Sequence, residues 1–319
     1  AGPAGRQLRP QGSYKLTDTM TFAQGGLVLK GASGLLSDDG SGKLETDIEL
    51  NDLSKDKVLG AGVSAKVYLA KHKRTGQVYA LKELTAIADT DARHMAVNEL
   101  QIARNAHCPH LIQFIDAFFN EGKISIVMEF ADGGALDDVI KREGSVPEGP
   151  CRGIAASMLA GLQYLHKELH QVHRDIKPAN VMIKEGVVKL SDFGISKQLE
   201  NTSAFATTQV GTTVYMSPER MLGESHSYGS DVWSVGLTLL EARTGALPFA
   251  SATSFMAQMS LVIDGPSPEA PAGSSAPFAE FVTVCLQKDA AQRASVAELL
   301  TGAWLNGADG AEFSEWLNR

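Results

Sequence analysis

The sequence predicts an α+β fold of two unequal lobes: a small lobe of five antiparallel strands plus one helix, then a mainly helical large lobe. Three observations carry this. Residues 55 to 84, KDKVLGAGVSAKVYLAKHKRTGQVYALKEL, alternate β-branched and aromatic residues with polar ones around the turn signal RTGQ. Beyond ADGGA, long segments place apolar residues at helical spacing. A length of 319 residues accommodates two units of about 150 residues each.

Taken in order, residues 1–50 read as a flexible arm. They hold nine glycines and no Trp or Cys, with TFAQGGLVL as a marginal hairpin. Over the first 35 residues Arg6, Arg9, Lys15 and Lys30 oppose Asp18 alone, a balance that suits a solvated tail or an acidic partner. Residues 51–128 form the small lobe. Three strands are followed by the helical stretch DARHMAVNELQIARNA, then by LIQFIDAFF and KISIVMEF around the turn NEG. Residues 129–305 form the large lobe. Its helices are PCRGIAASMLAGLQYLHKEL, SDVWSVGLTLLEARTG, SFMAQMSLVI and PFAEFVTVCLQ, with NVMIKEGVVKLSDFG as a hairpin. The tail, 306–319, puts Phe313, Trp316 and Leu317 on one helical face, for packing on the large lobe or for docking. The junction at 128–134 predicts a ligand cleft between the lobes.

Composition narrows the function. Hydrophobic content of 44% with 21% charged residues is that of a globular protein. A net charge of −8 argues against a nucleic-acid partner, whose binding surface would show a basic excess. No run approaches eighteen apolar residues, so no membrane span is expected. The start, AGPAGRQLRPQGSYK, has no apolar region of a secretory signal, and its lack of Met reads as truncation. Cys108, Cys151 and Cys285 are odd in number and lack metal-ligand spacing, so they read as reduced thiols of a cytoplasmic or nuclear protein.

The chemistry gathers in short motifs. In GAGVSA, Gly60 and Gly62 lie between two strand patterns, where a glycine loop lets backbone N–H groups approach phosphates as a lid. The third glycine of such a loop is replaced by Ala65, at a cost of roughly 1 kcal/mol if positive φ were needed there. Lys82 ends a strand, and Glu99 lies on the following helix; a Lys held by a helix Glu can point at phosphates. The strongest signal is HRDIKPAN, 173–180, followed by SDFG, 191–194. Phosphoryl transfer needs a carboxylate to orient the acceptor hydroxyl, a cation near the phosphate and oxygen ligands for Mg²⁺. Asp175, Lys177, Asn180 and Asp192 supply that set.

From about residue 55 to 305 the chain resembles the eukaryotic protein kinases, with every main motif in order: GxGxxA, VYALK, a helix Glu, HRD, DFG, SPE, the Asp of DVW and a late Arg. The resemblance implies a Lys82–Glu99 ion pair, Asp175 as catalytic base, and Asn180 and Asp192 holding Mg²⁺ for ATP. It implies Asp231 bracing the catalytic loop, a buried Glu219–Arg293 bridge, and Thr212 contacting the catalytic Asp, with Lys177 in the form typical of Ser/Thr-directed and dual-specificity kinases. An adenine site follows from it: Val67 and Ala80 above, Met182 below, Met128 at the back, and the backbone of Glu129 to Ala131 as hydrogen-bonding edge. His173 and Phe193 should stack with Phe114. Ala103 departs from the large apolar residue usual there, which implies low basal activity.

GTTVYMSPER and MEFADGGALDDVI are similar to the mitogen-activated protein kinase kinases. Between Asn201 and Ser217 the chain has eight hydroxyl side chains and no charge. Counting back from Gly211, Thr208 stands at −3 and Thr202 at −9, the spacing of plant-type members, while the −7 position of animal members is Ala204. Each phosphate there would add roughly −1.5 to −2 charges, with Arg174 as the expected receptor. The resemblance implies an ATP- and Mg²⁺-dependent, dual-specificity kinase. Its substrate would be a downstream MAP kinase and its activator an upstream MAP kinase kinase kinase. The alternatives are another Ser/Thr kinase of the cascade, or a pseudokinase scaffold, against which the retained Lys82, Asp175, Asn180 and Asp192 argue.

Overall fold

The computed structural model describes residues 21–24, 27–30, 34–37, 48–62, 65–84, 100, 102–120, 123–193, 213–308 and 310–319. The chain divides into two compact units: Ala1–Gln101 with Phe114–Met128, and Ile102–Gln113 with Glu129–Arg319.

The first unit is built on a five-stranded antiparallel sheet of β4 (Leu53–Ala61), β5 (Ala65–His72), β6 (Val78–Leu84), β7 (Phe114–Asn120) and β8 (Lys123–Glu129), in the order β4-β5-β6-β8-β7. The alternation seen in the sequence sets the faces. Tyr79 pairs with Ala70 and Leu81 with Tyr68, so these four share one face, while Ala80 and Lys82 of β6 point to the other. Ala70, Leu81, Phe118 and Val127 are fully buried in a cluster with Leu53 and Tyr79, against which Ile48, Leu50 and Ile115 pack.

The stretch read as an arm contains three further strands: β1 (Thr21–Gln24), β2 (Leu27–Lys30) and β3 (Gly34–Ser37). The expected hairpin is β1–β2, with Gln24 opposite Leu27, and β3 pairs with β2 to complete a separate small sheet. Strands β2 and β3 run alongside β7, the edge strand of the larger sheet. An edge strand with unpaired backbone is a liability, and neighbouring chain that screens it removes the hazard.

The second unit is mainly helical: α1 (Leu136–Glu143), α2 (Glu148–Lys167), α3 (Pro218–Met221), α4 (Tyr228–Thr244), α5 (Phe255–Ile263), α6 (Ala276–Cys285), α7 (Val296–Thr301) and α8 (Ala311–Leu317). Among the described residues its one hairpin is β9 (Val181–Lys184) with β10 (Val187–Leu190). Ser254, Ser275 and Ser295 cap α5, α6 and α7 by accepting from the third residue on, which satisfies one orphan N–H at each helix start. Helix α4 is buried almost all round, including Trp233, Val235 and Leu237, and α2 packs against it. Helix α8 lies on α2, with Phe313 fully buried and Arg152 ion-paired to Glu312. Of the three residues on the predicted face, Phe313 is buried and Trp316 and Leu317 are half-buried.

Segment 102–113 joins this unit through hydrogen bonds that sequence reading did not foresee. Ile112 N–H donates to Leu190 O, Leu190 N–H to His110 O, and Tyr164 Oη meets His107 N and Asn105 O.

Candidate active site

In the first unit Gly60 is the last residue but one of β4 and Gly62 follows the strand, with Gly62 N–H donating to Ala65 O. Neither glycine has positive φ, a Cβ on Gly60 would meet nothing within 4 Å, and one on Gly62 would come only to 3.7 Å of Ala65 O. The chain's own packing therefore does not demand glycine here, whereas close approach by a bound group would. Ala65 opens β5 without positive φ, so the cost allowed for in the sequence does not arise. Val67 pairs with Lys82 across β5 and β6, with Ala80 two residues earlier on the same face. Lys82 is buried at 4% exposure, and Met128 stands opposite Phe114. Glu99, the expected partner of Lys82, lies outside the described residues, as do Thr202, Thr208 and Thr212.

In the second unit HRDIKPAN forms a braced loop between α2 and β9. Asp231, on α4, accepts from the backbone N–H of His173 at 2.8 Å and of Arg174 at 2.9 Å, and meets Nε2 of His166 at 2.8 Å. Burial alone would raise the Asp231 carboxyl. The His166 bond, the two nearby histidines and the Arg174 amide hold it below the usual carboxylate range instead. Arg174 has φ of 72°, a conformation costly for a side-chain-bearing residue, and the Asp231 clamp helps hold it. His166 itself is buried and stacks on Tyr228 at 4.3 Å. Its tie to the loop brace was invisible in the sequence because 65 residues separate it from Asp231.

The loop brings three expected residues together. Lys177 Nζ is 2.9 Å from Asp175 Oδ2, and Asn180 Nδ2 donates to Asp175 Oδ2 at 2.8 Å and to Asp175 O at 2.7 Å. With its amide nitrogen committed, Asn180 has Oδ1 to offer a cation. Val181 pairs with Leu190, and Ser191 N–H donates to Asn180 O at 2.9 Å, so Asn180 and Asp192 leave the same end of the β9–β10 hairpin. Asp192 has φ of 60°, a second strained position in the same neighbourhood. Phe193 is buried and meets His173 edge-on at 6.5 Å, and Ala103 is buried at 2% exposure. Met182 bridges to Ala135, while Glu129 and Ala131 begin the segment that leads to α1.

The donor set fits Mg²⁺ with a nucleotide. Asn180 and Asp192 offer hard oxygen atoms, and among the described residues no cluster of three or more His, Cys, Asp or Glu could hold a metal by itself. Mg²⁺ needs few protein ligands when phosphate and water oxygens complete its shell.

The segment beyond the uncharged, hydroxyl-rich stretch is staked down side chain by side chain. Thr213 donates to Gln258, Ser234 to Tyr215 O, and Tyr215 to Glu241. Glu219 is bound twice by Arg293, at 2.9 and 3.1 Å, as expected, and also accepts from Ser230. Burial opposes the Glu219 charge, but the Arg293 and Ser217 bonds prevail and pull its pKa down to about 2. Arg220, which the sequence reading passed over, donates to Arg174 O at 3.2 Å. Its burial lowers the guanidinium to about 10 against the pull of Asp231 and Asp175.

The protein kinase domain family matches residues 53–305. The chain is similar to mitogen-activated protein kinase kinase 2 of Arabidopsis thaliana, 40% identical over 273 residues, 83% of this chain and 75% of that protein. It is similar to mitogen-activated protein kinase kinase 1c of Physcomitrium patens, 35% identical over 321 residues, 98% and 93% of the two chains. With dual specificity mitogen-activated protein kinase kinase 1 of Dictyostelium discoideum the identity is 43% over 204 residues, 64% of this chain and 31% of that protein.

Proposed function

Because this chain belongs to the protein kinases, and within them to the mitogen-activated protein kinase kinases, we propose that it transfers the γ-phosphate of ATP to a Thr and a Tyr in the activation loop of a downstream MAP kinase. The observation that carries this is the hydrogen-bonded set of Asp175, Lys177 and Asn180, with Asp192 leaving the same hairpin end as Asn180. Asp175 orients the acceptor hydroxyl and takes its proton. Lys177, already beside that carboxylate, faces the transferred group. Asn180 and Asp192 would hold Mg²⁺, which when bound draws off charge from the phosphates. Gly60, Gly62 and Lys82 serve the nucleotide tail, and the backbone of Glu129 and Ala131 the adenine. Since the reacting bonds lie in the substrates, the chain's contribution is positioning and electrostatics.

We further propose that an upstream kinase switches the enzyme on through Thr202 and Thr208, and that it works in the cytosol or nucleus, where Cys108, Cys151 and Cys285 stay free thiols. The name of the Dictyostelium relative includes dual specificity, which favours a Thr and Tyr target over a Ser/Thr target alone. The test is to incubate the purified chain, after treatment with an upstream kinase, with ATP and catalytically inactive MAP kinases, and to map phosphosites by mass spectrometry. A doubly labelled T-x-Y loop is the expected result, with Thr202→Ala/Thr208→Ala folded but inactive. Labelling elsewhere would point to a different kinase role, and no labelling of any substrate to a scaffold.

A further inference from the structure

What nucleotide binding asks of Glu129 is its backbone carbonyl, yet its side chain is among the most heavily engaged in the second unit. The carboxylate receives Lys184 Nζ at 2.8 Å, Lys189 Nζ at 2.8 Å and the backbone N–H of Gln113 at 2.8 Å. In return Glu129 N–H donates to Gln113 O at 3.0 Å, and Lys189 also reaches Leu111 O. This is not an ion pair of the exposed, weakly stabilising kind. The Glu129 side chain is 11% exposed and that of Lys189 14%, with Lys184 at 31% closing the outer side. Burial would raise the Glu129 carboxyl, but the two lysines and the Gln113 amide outweigh it and keep it charged.

Both lysines stand on the β9–β10 hairpin, and backbone bonds stitch the same hairpin to the residues after Glu129. Gly133 N–H donates to Ile183 O and Ile183 N–H to Gly134 O, each at 2.9 Å, while Asp132 accepts from Glu185 N–H at 2.8 Å. The approach is so close that a Cβ on Gly133 would lie 2.6 Å from Ile183 Cγ2. The far end of this hairpin is where Asn180 and Asp192 leave it. One rigid piece thus connects the adenine-facing backbone to the phosphate-facing side chains. The lysines hold that piece by charge rather than by backbone pairing.

We propose that Lys184 and Lys189 are positioning residues for adenine-nucleotide binding: by gripping the Glu129 carboxylate they fix the backbone from Glu129 to Ala131 relative to Asn180 and Asp192. The inference rests on the nucleotide reading above. Its test uses the whole chain with Lys184→Met, Lys189→Met, both together, and Lys189→Arg. Affinity for a fluorescent ADP analogue with Mg²⁺ is read by titration, alongside KM for ATP, kcat and the melting temperature. The double variant should weaken nucleotide binding and raise KM for ATP by about 5- to 10-fold, with kcat at saturating ATP within about twofold. Lys189→Arg should restore most of the loss, and Glu129→Gln, which keeps the backbone carbonyl, should not add to it. Unchanged affinity in the double variant overturns the inference. So does a loss of kcat in step with the melting temperature that Arg fails to rescue, since that marks a merely structural role. If the wild-type chain binds no adenine nucleotide, the proposed function fails first and takes this inference with it.

Discussion

Replacing Asp231 by Asn keeps the size of the side chain but removes half of what it does. A carboxylate accepts on both oxygens, and here they take the N–H groups of His173 and Arg174 while His166 shares one of them. An amide turns one acceptor into a donor that would face a donor. Arg174 would then lose support for its positive φ, and Asp175, the next residue, would shift. The expected outcome for Asp231→Asn is a fall in kcat on the order of 10²-fold, since misplacement of a reacting group by about 1 Å has that effect. Steady-state kinetics on the activated enzyme check this, with circular dichroism confirming the fold. The candidate catalytic residues stood out in the sequence because HRDIKPAN and SDFG are contiguous and chemically specific. The His166–Asp231 bond and the lysines on Glu129 were not, since each joins positions 55 or more residues apart.

Strands and helices were legible wherever the residues had a two-residue or helical apolar period, as in β5, β6, α2 and α4. The stretch 21–37 was harder. Its glycines and short apolar runs permit a hairpin, but β3 depends on β2 as partner and on β7 as neighbour, and neither contact is written locally. Segment 102–113 was read with the small lobe for the same reason: its bonds to Leu190 and Tyr164 are remote in sequence. A prediction follows at this scale. Strands β2 and β3 run alongside β7, which carries the fully buried Phe118, and burial of a side chain of that kind is worth about 1.5–3 kcal/mol. Deleting residues 1–47 should lower the melting temperature by several degrees and raise binding of a hydrophobic dye. An unchanged melting curve would show that β1–β3 contribute nothing to the small unit.

At the scale of the whole molecule, Glu219 and Arg293 of the second unit form a polar tie between positions 74 residues apart, and it is almost fully buried. It anchors the segment that follows the hydroxyl-rich stretch to the connection between α6 and α7. Because the folded-state pKa of Glu219 lies at about 2, below its ordinary value of 4.5, the pair stabilises the fold at neutral pH. That contribution is lost as pH falls from about 4.5 through about 2. Arg293→Met leaves a buried carboxylate unpaired and should cost about 3–5 kcal/mol by urea unfolding at neutral pH, with the penalty shrinking on acidification. An equal penalty at pH 7 and pH 3 would contradict this assignment. The fold and the motif residues could be read from the chain; how the two compact units divide residues 102–113 needed the structure.

The most direct measurement is the initial rate of γ-phosphate transfer from radiolabelled ATP to an inactive MAP kinase, comparing the activated chain with its Asp192→Asn variant. The account predicts a rate lower by on the order of 10²–10³-fold in the variant, with an unchanged circular dichroism spectrum. Equal rates, or no transfer by the activated wild-type chain, would contradict it.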